Sequence, residues 1–203
     1  MDREFTLTIV LEQDQWLNEN WAQLHQCLLM LLDSPINQAG FLELYIRLTG
    51  KDNRLIRLHK EVRIPRTYKR FEKLFENFLG GCDMPLVQTK DGPARLFQHV
   101  NKPMEKVLPD DCAKFKLLNL TSRVKPTTFF TQPVETCKRA AVVIVIEPVD
   151  FNFLGKGRET EYDMKFKIKN PEADTYSVSH YPITSSLTCV KITSAFERAL
   201  DIF

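Results

Sequence analysis

Net charge is nearly absent from this 203-residue chain: 28 Lys and Arg against 26 Asp and Glu leave +2. That is too little for a general attraction to nucleic acid or membrane surfaces, so any basic site must be local. Paired cysteines are missing as well. Cys27, Cys82, Cys112, Cys137 and Cys189 are odd in number and widely scattered, which argues against a disulfide framework or a cysteine zinc site and fits a reducing compartment. Long hydrophobic runs are lacking. The longest, 140–146 (AAVVIVI), is far shorter than a membrane span, and no signal-like apolar stretch follows the charged start MDREF. The expectation is a soluble intracellular protein. There is no low-complexity segment, internal repeat or Pro/Ser-rich linker, so residues 1–203 are expected to form one domain.

Catalytic signatures are equally scarce. The four histidines, His25, His59, His99 and His180, lie in unrelated segments with no two-ligand helix spacing, so no metal site is expected. Neither a Gly-x-Ser-x-Gly elbow nor a phosphate loop occurs, and the pair Gly155 and Gly157 by itself is what an ordinary surface loop carries.

What the chain does have is apolar content, 43% of residues, enough to bury a core. Residues 5–11 (FTLTIVL) read as a strand, and Leu17, Trp21, Leu24, Leu28 and Leu31 recur at helical spacing until Asp33-Ser34-Pro35. Residues 41–48 and 54–58 alternate in polarity around a turn, predicting a hairpin. Pro65 suits a first helical position, and Phe71, Leu74, Phe75, Phe78 and Leu79 form an apolar stripe that ends at Gly80-Gly81. The proline-punctuated middle, 82–133, predicts short strands and loops. Residues 140–146 lack a polar face and suit a central strand covered on both sides. Residues 162–168 alternate as a strand, and 183–200 form a final helix after Tyr181-Pro182. Strands and helices interleave, which favours an α/β fold.

Charge is concentrated in one place. From Arg47 to Lys73 there are ten basic residues against three acidic ones, a local +7. Arg63, Arg66, Arg70 and Lys73 follow at intervals of three, four and three, which would stack them along one side of a helix beginning near Pro65. A run of charge is usually just a solvated face. Planar arginines near a helix start oppose the macrodipole, however, and such a ridge suits phosphate contact.

Three separated segments carry a family resemblance. They are His25-Gln26-Cys27-Leu28-Leu29-Met30 with Asp33-Ser34-Pro35-Ile36-Asn37 and Ala39-Gly40, then VRIPRTYKRF at 62–71, then VSHYPITSSLTC at 178–189. Together they resemble the ribosome-biogenesis pseudouridine N1-methyltransferases of the SPOUT superfamily, in that family's order and over most of the chain. The resemblance implies an α/β knot fold with a C-terminal trefoil knot, a rare exception to unknotted chains, and a homodimer packed through the knot. It implies S-adenosylmethionine as cofactor, held mainly by backbone groups, with Val178, Ser179, His180, Tyr181, Pro182 and Ile183 as the last knot loop and Gly155 as a further contact. Arg63, Arg66 and Arg70 take the positions of the family's rRNA-contacting arginines. The implied activity is methyl transfer to N1 of a pseudouridine in small-subunit rRNA, in the nucleus and nucleolus, with the base splayed into the site. No general base can be named from the sequence.

The chain departs from the family pattern at three places. Asn20-Trp21-Ala22 stands where the family has Arg-Pro-Asp, which removes an rRNA contact. Glu147-Pro148 stands where a glycine lies against the cofactor. Asn101-Lys102-Pro103-Met104-Glu105-Lys106 replaces Asn-Pro-x-x-Asp. These departures leave a second expectation open: an rRNA-binding pre-ribosomal assembly factor with weakened or lost methyl transfer.

Overall fold

The computed structural model describes residues 5–15, 21–50, 53–61, 63–82, 84, 86–89, 92–108, 112–119, 121, 123–147 and 175–202. Leu17, the expected strand at 162–168, and Gly155 with Gly157 lie outside the described residues.

Four runs rich in β-branched and apolar residues form the parallel heart of a sheet: β1 (Thr6–Asp14), β2 (Leu42–Thr49), β7 (Ala113–Leu117) and β8 (Arg139–Val145). With β3 (Leu55–Leu58), β6 (Phe97–His99) and β9 (Thr175–Tyr176), the described residues make a seven-stranded sheet in the order β6-β3-β2-β1-β8-β7-β9. The expected hairpin is present: β3 pairs antiparallel with β2, opposing Ile46 to Ile56. From β2 to β9 the pairing is parallel, and β8 lies between β1 and β7. The absence of a polar face on β8 is thereby explained. Ala140, Val142 and Ile144 enter the main core, while Ala141 and Val143 enter a second apolar cluster with Val10, Tyr45, Leu55, Leu108 and Cys112. A separate hairpin joins β4 (Leu86–Thr89) to β5 (Gly92–Arg95).

The main core lies between the sheet and three helices, α1 (Ala22–Leu32), α3 (Tyr68–Leu79) and α7 (Ser185–Ala199). Four short helices, α2 (Pro35–Gln38), α4 (Met104–Val107), α5 (Thr127–Thr131) and α6 (Pro133–Thr136), serve as connectors. No helix among the described residues is long and apolar enough to cross a membrane.

Helix α3 buries the stripe read from the sequence: Phe71, Phe75 and Phe78 are enclosed while Lys69, Arg70 and Lys73 face outward. Its end is a Schellman turn. Gly81, at φ +89°, adopts the left-handed conformation that lets the Cys82 N–H reach the Asn77 carbonyl and its own N–H reach that of Phe78. Its beginning differs from expectation, because the helix starts at Tyr68 after an extended Thr67 rather than at Pro65. The cause is tertiary. A first-turn proline would leave its carbonyl for the helix ladder, but the Pro65 carbonyl accepts from His25 Nε2–H at 2.7 Å, and Ile64 is buried beside it. The predicted four-residue ridge on one helix is therefore corrected. Arg70 and Lys73 sit on α3, whereas Arg63 and Arg66 precede it.

Phe75 is the hub of this packing. It is fully buried and lies 5.1 Å from Trp21, 5.5 Å from Phe71 and 5.7 Å from Phe97, ring centroid to ring centroid. Phe75→Ala should lower the unfolding free energy by about 3–5 kcal/mol, measured by urea denaturation. A loss below about 1 kcal/mol would show that the aromatic cluster does not hold α3 to the sheet.

Candidate functional site

Two groups of candidate residues occupy different parts of the molecule. The first is the basic segment leading into α3. The segment is held by the 25–37 motif at Lys60, Pro65 and Arg66. His25 is nearly fully buried and stacked on Phe71 at 4.6 Å, and it holds Pro65 through the bond to its carbonyl. Ser34 caps α2, accepting the Asn37 N–H. Asn37 in turn donates from Nδ2 to the carbonyls of Leu32, at 2.9 Å, and Lys60, at 3.0 Å. Asp33, just past the end of α1, receives both arms of the Arg66 guanidinium, Nη2 reaching Oδ1 at 3.0 Å and Nη1 reaching Oδ2. The hydrogen bond that Arg66 donates to Asp33 and the negative charge of that carboxylate push the Arg66 pKa above its ordinary value. So exposed a pair adds little stability, but it orients the planar fork.

Arg63, Arg66, Arg70 and Lys73 are all exposed, and they form a cationic surface across two elements rather than one. Trp21, at the position aligned with the middle of the family's Arg-Pro-Asp, is buried edge-on against Phe75. That position serves the core. Asn20 lies outside the described residues.

The second group sits beyond the carboxyl ends of β7, β8 and β9, where parallel α/β sheets bind ligands. Asn119 ties these ends together. Its N–H donates to Glu147 Oε2 at 2.9 Å, and its Nδ2 donates to the Glu147 carbonyl at 3.2 Å. Its Oδ1 accepts from Ser185 Oγ at 3.0 Å, and its own carbonyl accepts from Ser177 Oγ at 3.4 Å. Ser185 Oγ also lies 3.2 Å from the Val145 carbonyl. Asn119, Glu147, Ser177 and Ser185 are all buried, so this polar knot is satisfied from within. Glu147, standing where the family has glycine, thus turns its carboxylate onto the end of β7. Pro148 and Gly155 lie outside the described residues.

From Ser177 the chain runs through the expected loop. Val178, Ser179, Pro182 and Ile183 are half-buried, and His180 and Tyr181 are exposed. The loop is shaped by its own serines: Ser177 Oγ donates to the Ser179 carbonyl at 3.0 Å, and Ser179 Oγ accepts the Tyr181 N–H at 3.1 Å. The backbone N–H groups of Val178 and His180 have no partner among the described residues. Thr184 then caps α7 by accepting the Leu187 N–H. No hydrogen bond or ring contact among the described residues joins this loop to the arginine surface. The Asn119 network had no motif to announce it. The signal in the sequence was no more than isolated polar residues just past strand ends, Asn119, Glu147 and Ser177, and at a helix start, Ser185.

A family model described as EMG1/NEP1 methyltransferase matches residues 23–197. The chain is 32% identical to the ribosomal RNA small subunit methyltransferase NEP1 of Drosophila melanogaster, over 88% of its own length and 65% of the relative. It is 34% identical to the human protein of the same name, over 88% of its own length and 64% of the relative. The chain thus spans about two thirds of the length of these relatives. Among solved structures, it is similar to the crystal structure of Archaeoglobus fulgidus Nep1 bound to S-adenosylhomocysteine, with a TM-score of 0.59, 21% identity and coverage of 88% of this chain and 70% of that one. That likeness gives the fold, an α/β fold with a mostly parallel sheet.

The brace beneath the arginines has a direct test. His25→Phe keeps the stack on Phe71 but leaves the Pro65 carbonyl without its donor, which should cost about 1–3 kcal/mol and speed amide hydrogen exchange across residues 63–71. Unchanged exchange in that segment would mean that His25 does not hold it.

Proposed function

The chain belongs to the EMG1/NEP1 methyltransferase family, and on that premise we propose that it transfers a methyl group from S-adenosylmethionine to N1 of a pseudouridine in small-subunit rRNA. The observation that carries this reading is the loop at 177–184, placed over the strand ends by the Asn119 network with open backbone donors. These residues fit the cofactor. Val178, Pro182 and Ile183 offer half-buried apolar surface for an adenine ring, and the N–H groups of Val178 and His180, without a partner among the described residues, suit ring nitrogens or the amino-acid carboxylate. The cofactor, when bound, supplies an electrophilic methyl group on a sulfonium, which needs no metal.

The protein's own residues then have two tasks. The loop must hold one reactant rigidly, which four buried polar side chains beneath it favour. Arg63, Arg66 and Arg70 must hold the phosphates around the target so that the unstacked base stays at the cradle. The departure at Glu147 is compatible with this arrangement because its carboxylate is bonded to the Asn119 N–H. We take the active form to be a homodimer, supported by Leu187 and Val190, which leave an exposed apolar strip one turn apart on α7. The nucleus and nucleolus are the proposed site of action.

The test is transfer of a labelled methyl group from S-adenosylmethionine to a small-subunit rRNA fragment carrying pseudouridine, with the uridine version as control. Transfer confined to the pseudouridine RNA is expected. Arg66→Ala with Arg70→Ala should weaken RNA binding and flatten its salt dependence by about 0.7 in log–log slope for each lost phosphate contact. RNA binding without any transfer would overturn the enzyme reading and leave an assembly factor. An unchanged salt slope would reject the arginine surface.

A further inference from the structure

A buried charge cluster lies at the carboxyl ends of β1, β2 and β7, beside the Asn119 network. Glu12 is at its centre. Its carboxylate takes Lys116 Nζ on Oε1 at 2.6 Å and Arg47 Nη1 on Oε2 at 3.2 Å. Glu12 and Arg47 are direct cross-strand partners on β1 and β2, whereas Lys116 reaches Glu12 across the intervening β8. Glu12 is 7% exposed and the Lys116 side chain 14%, so an ammonium has been carried into the fold at a cost in solvation. Burial pushes the Lys116 pKa below the usual lysine value and Arg47 adds to this, while the carboxylates of Glu12 and Glu147 oppose it.

Glu12 alone gives such a cation little reason to be there. Arg47 already matches that carboxylate, and two cations on one carboxylate repel each other. Strand register brings in a fourth group. Glu12 pairs with Val145 across β1 and β8, and the Ile146 N–H donates to the Glu12 carbonyl at 2.7 Å. Glu147 therefore leaves β8 beside this end of the cluster, and its Oε2 accepts the N–H of Asn119, three residues past Lys116, at 2.9 Å. Counted together, two cations face two carboxylates. An ionised acceptor makes a hydrogen bond about twice as strong as a neutral one, and a carboxylate as buried as Glu147 calls for a counter-charge.

We propose that Lys116 is a positioning residue of the cofactor cradle: its ammonium, fixed by Glu12, is a counter-charge for Glu147, and through Glu147 it holds Asn119 and the loop at 177–184. A carboxylate at the family's glycine position is thereby accommodated. The cofactor part rests on the function proposed above, and the link from Lys116 to Asn119 stands on the cluster itself.

The experiment uses the full chain without cofactor and reads amide hydrogen exchange at Asn119, with Val142 in the middle of β8 as reference. Lys116→Met should speed exchange at Asn119 roughly tenfold relative to Val142, and Lys116→Arg, which restores the charge, should leave the ratio near that of the parent. Glu147→Gln keeps an acceptor for the Asn119 N–H but no charge, so adding Lys116→Met to it should change the ratio by less than about twofold. Lys116→Gln, which retains a donor to Glu12, repeats the comparison should Lys116→Met not fold. The same acceleration in both backgrounds would mean that Lys116 acts through Glu12 alone and would overturn the proposal. Equal acceleration at Asn119 and Val142 would mark general destabilisation and overturn it too. Calorimetric titration with S-adenosylhomocysteine then reads the cradle, with affinity roughly tenfold weaker in Lys116→Met and regained in Lys116→Arg. Unchanged affinity beside faster Asn119 exchange would overturn the cradle role. A parent protein that binds no cofactor would reject the function proposed above, and the exchange pattern would still decide the link from Lys116 to Asn119.

Discussion

Asn119 is the constraint on which the rest of the site depends. A buried amide with unmet donors or acceptors would be costly, yet here both the side chain and the backbone of one residue are satisfied by Glu147, Ser177 and Ser185. The result is mechanical. The ends of β7 and β8, the start of the loop after β9 and the first turn of α7 are joined at one point, so the loop at 177–184 leaves the sheet in a defined direction. A parallel sheet needs such a closure at its carboxyl edge because its loops are where ligands bind and where backbone groups would otherwise be left open.

The basic segment follows the same logic by other means. Exposed arginines have high rotamer entropy. The 25–37 motif holds the backbone that carries them, His25 on Pro65 and Asn37 on Lys60, and orients one arginine directly, Asp33 on Arg66. Two of the segments that carry the family resemblance are thus the two sides of one contact, which gives their joint presence a physical reason.

Much of the fold was legible because it rests on local pattern. The strand at 5–11, the hairpin, the Phe stripe of α3 with its glycine terminator and the doubly covered strand at 140–146 all follow from periodicity and turn chemistry. The start of α3 was misplaced because the deciding interaction, His25 with Pro65, spans forty residues, and a proline's preference for the first turn yielded to it. The arginines were found through spacing, but their arrangement was not, since a three-four-three pattern cannot distinguish a helix from an extended lead-in followed by one. Asn119 was invisible inside a proline-punctuated stretch.

The central claim is that the cradle built on Asn119 receives S-adenosylmethionine. Its most direct test is a titration of the isotopically labelled protein with S-adenosylmethionine, followed through backbone amide resonances. The account predicts saturable shifts concentrated at Val178, Ser179, His180 and Ile183, with smaller shifts at Asn119. Shifts clustered elsewhere, or none at millimolar cofactor, would contradict it.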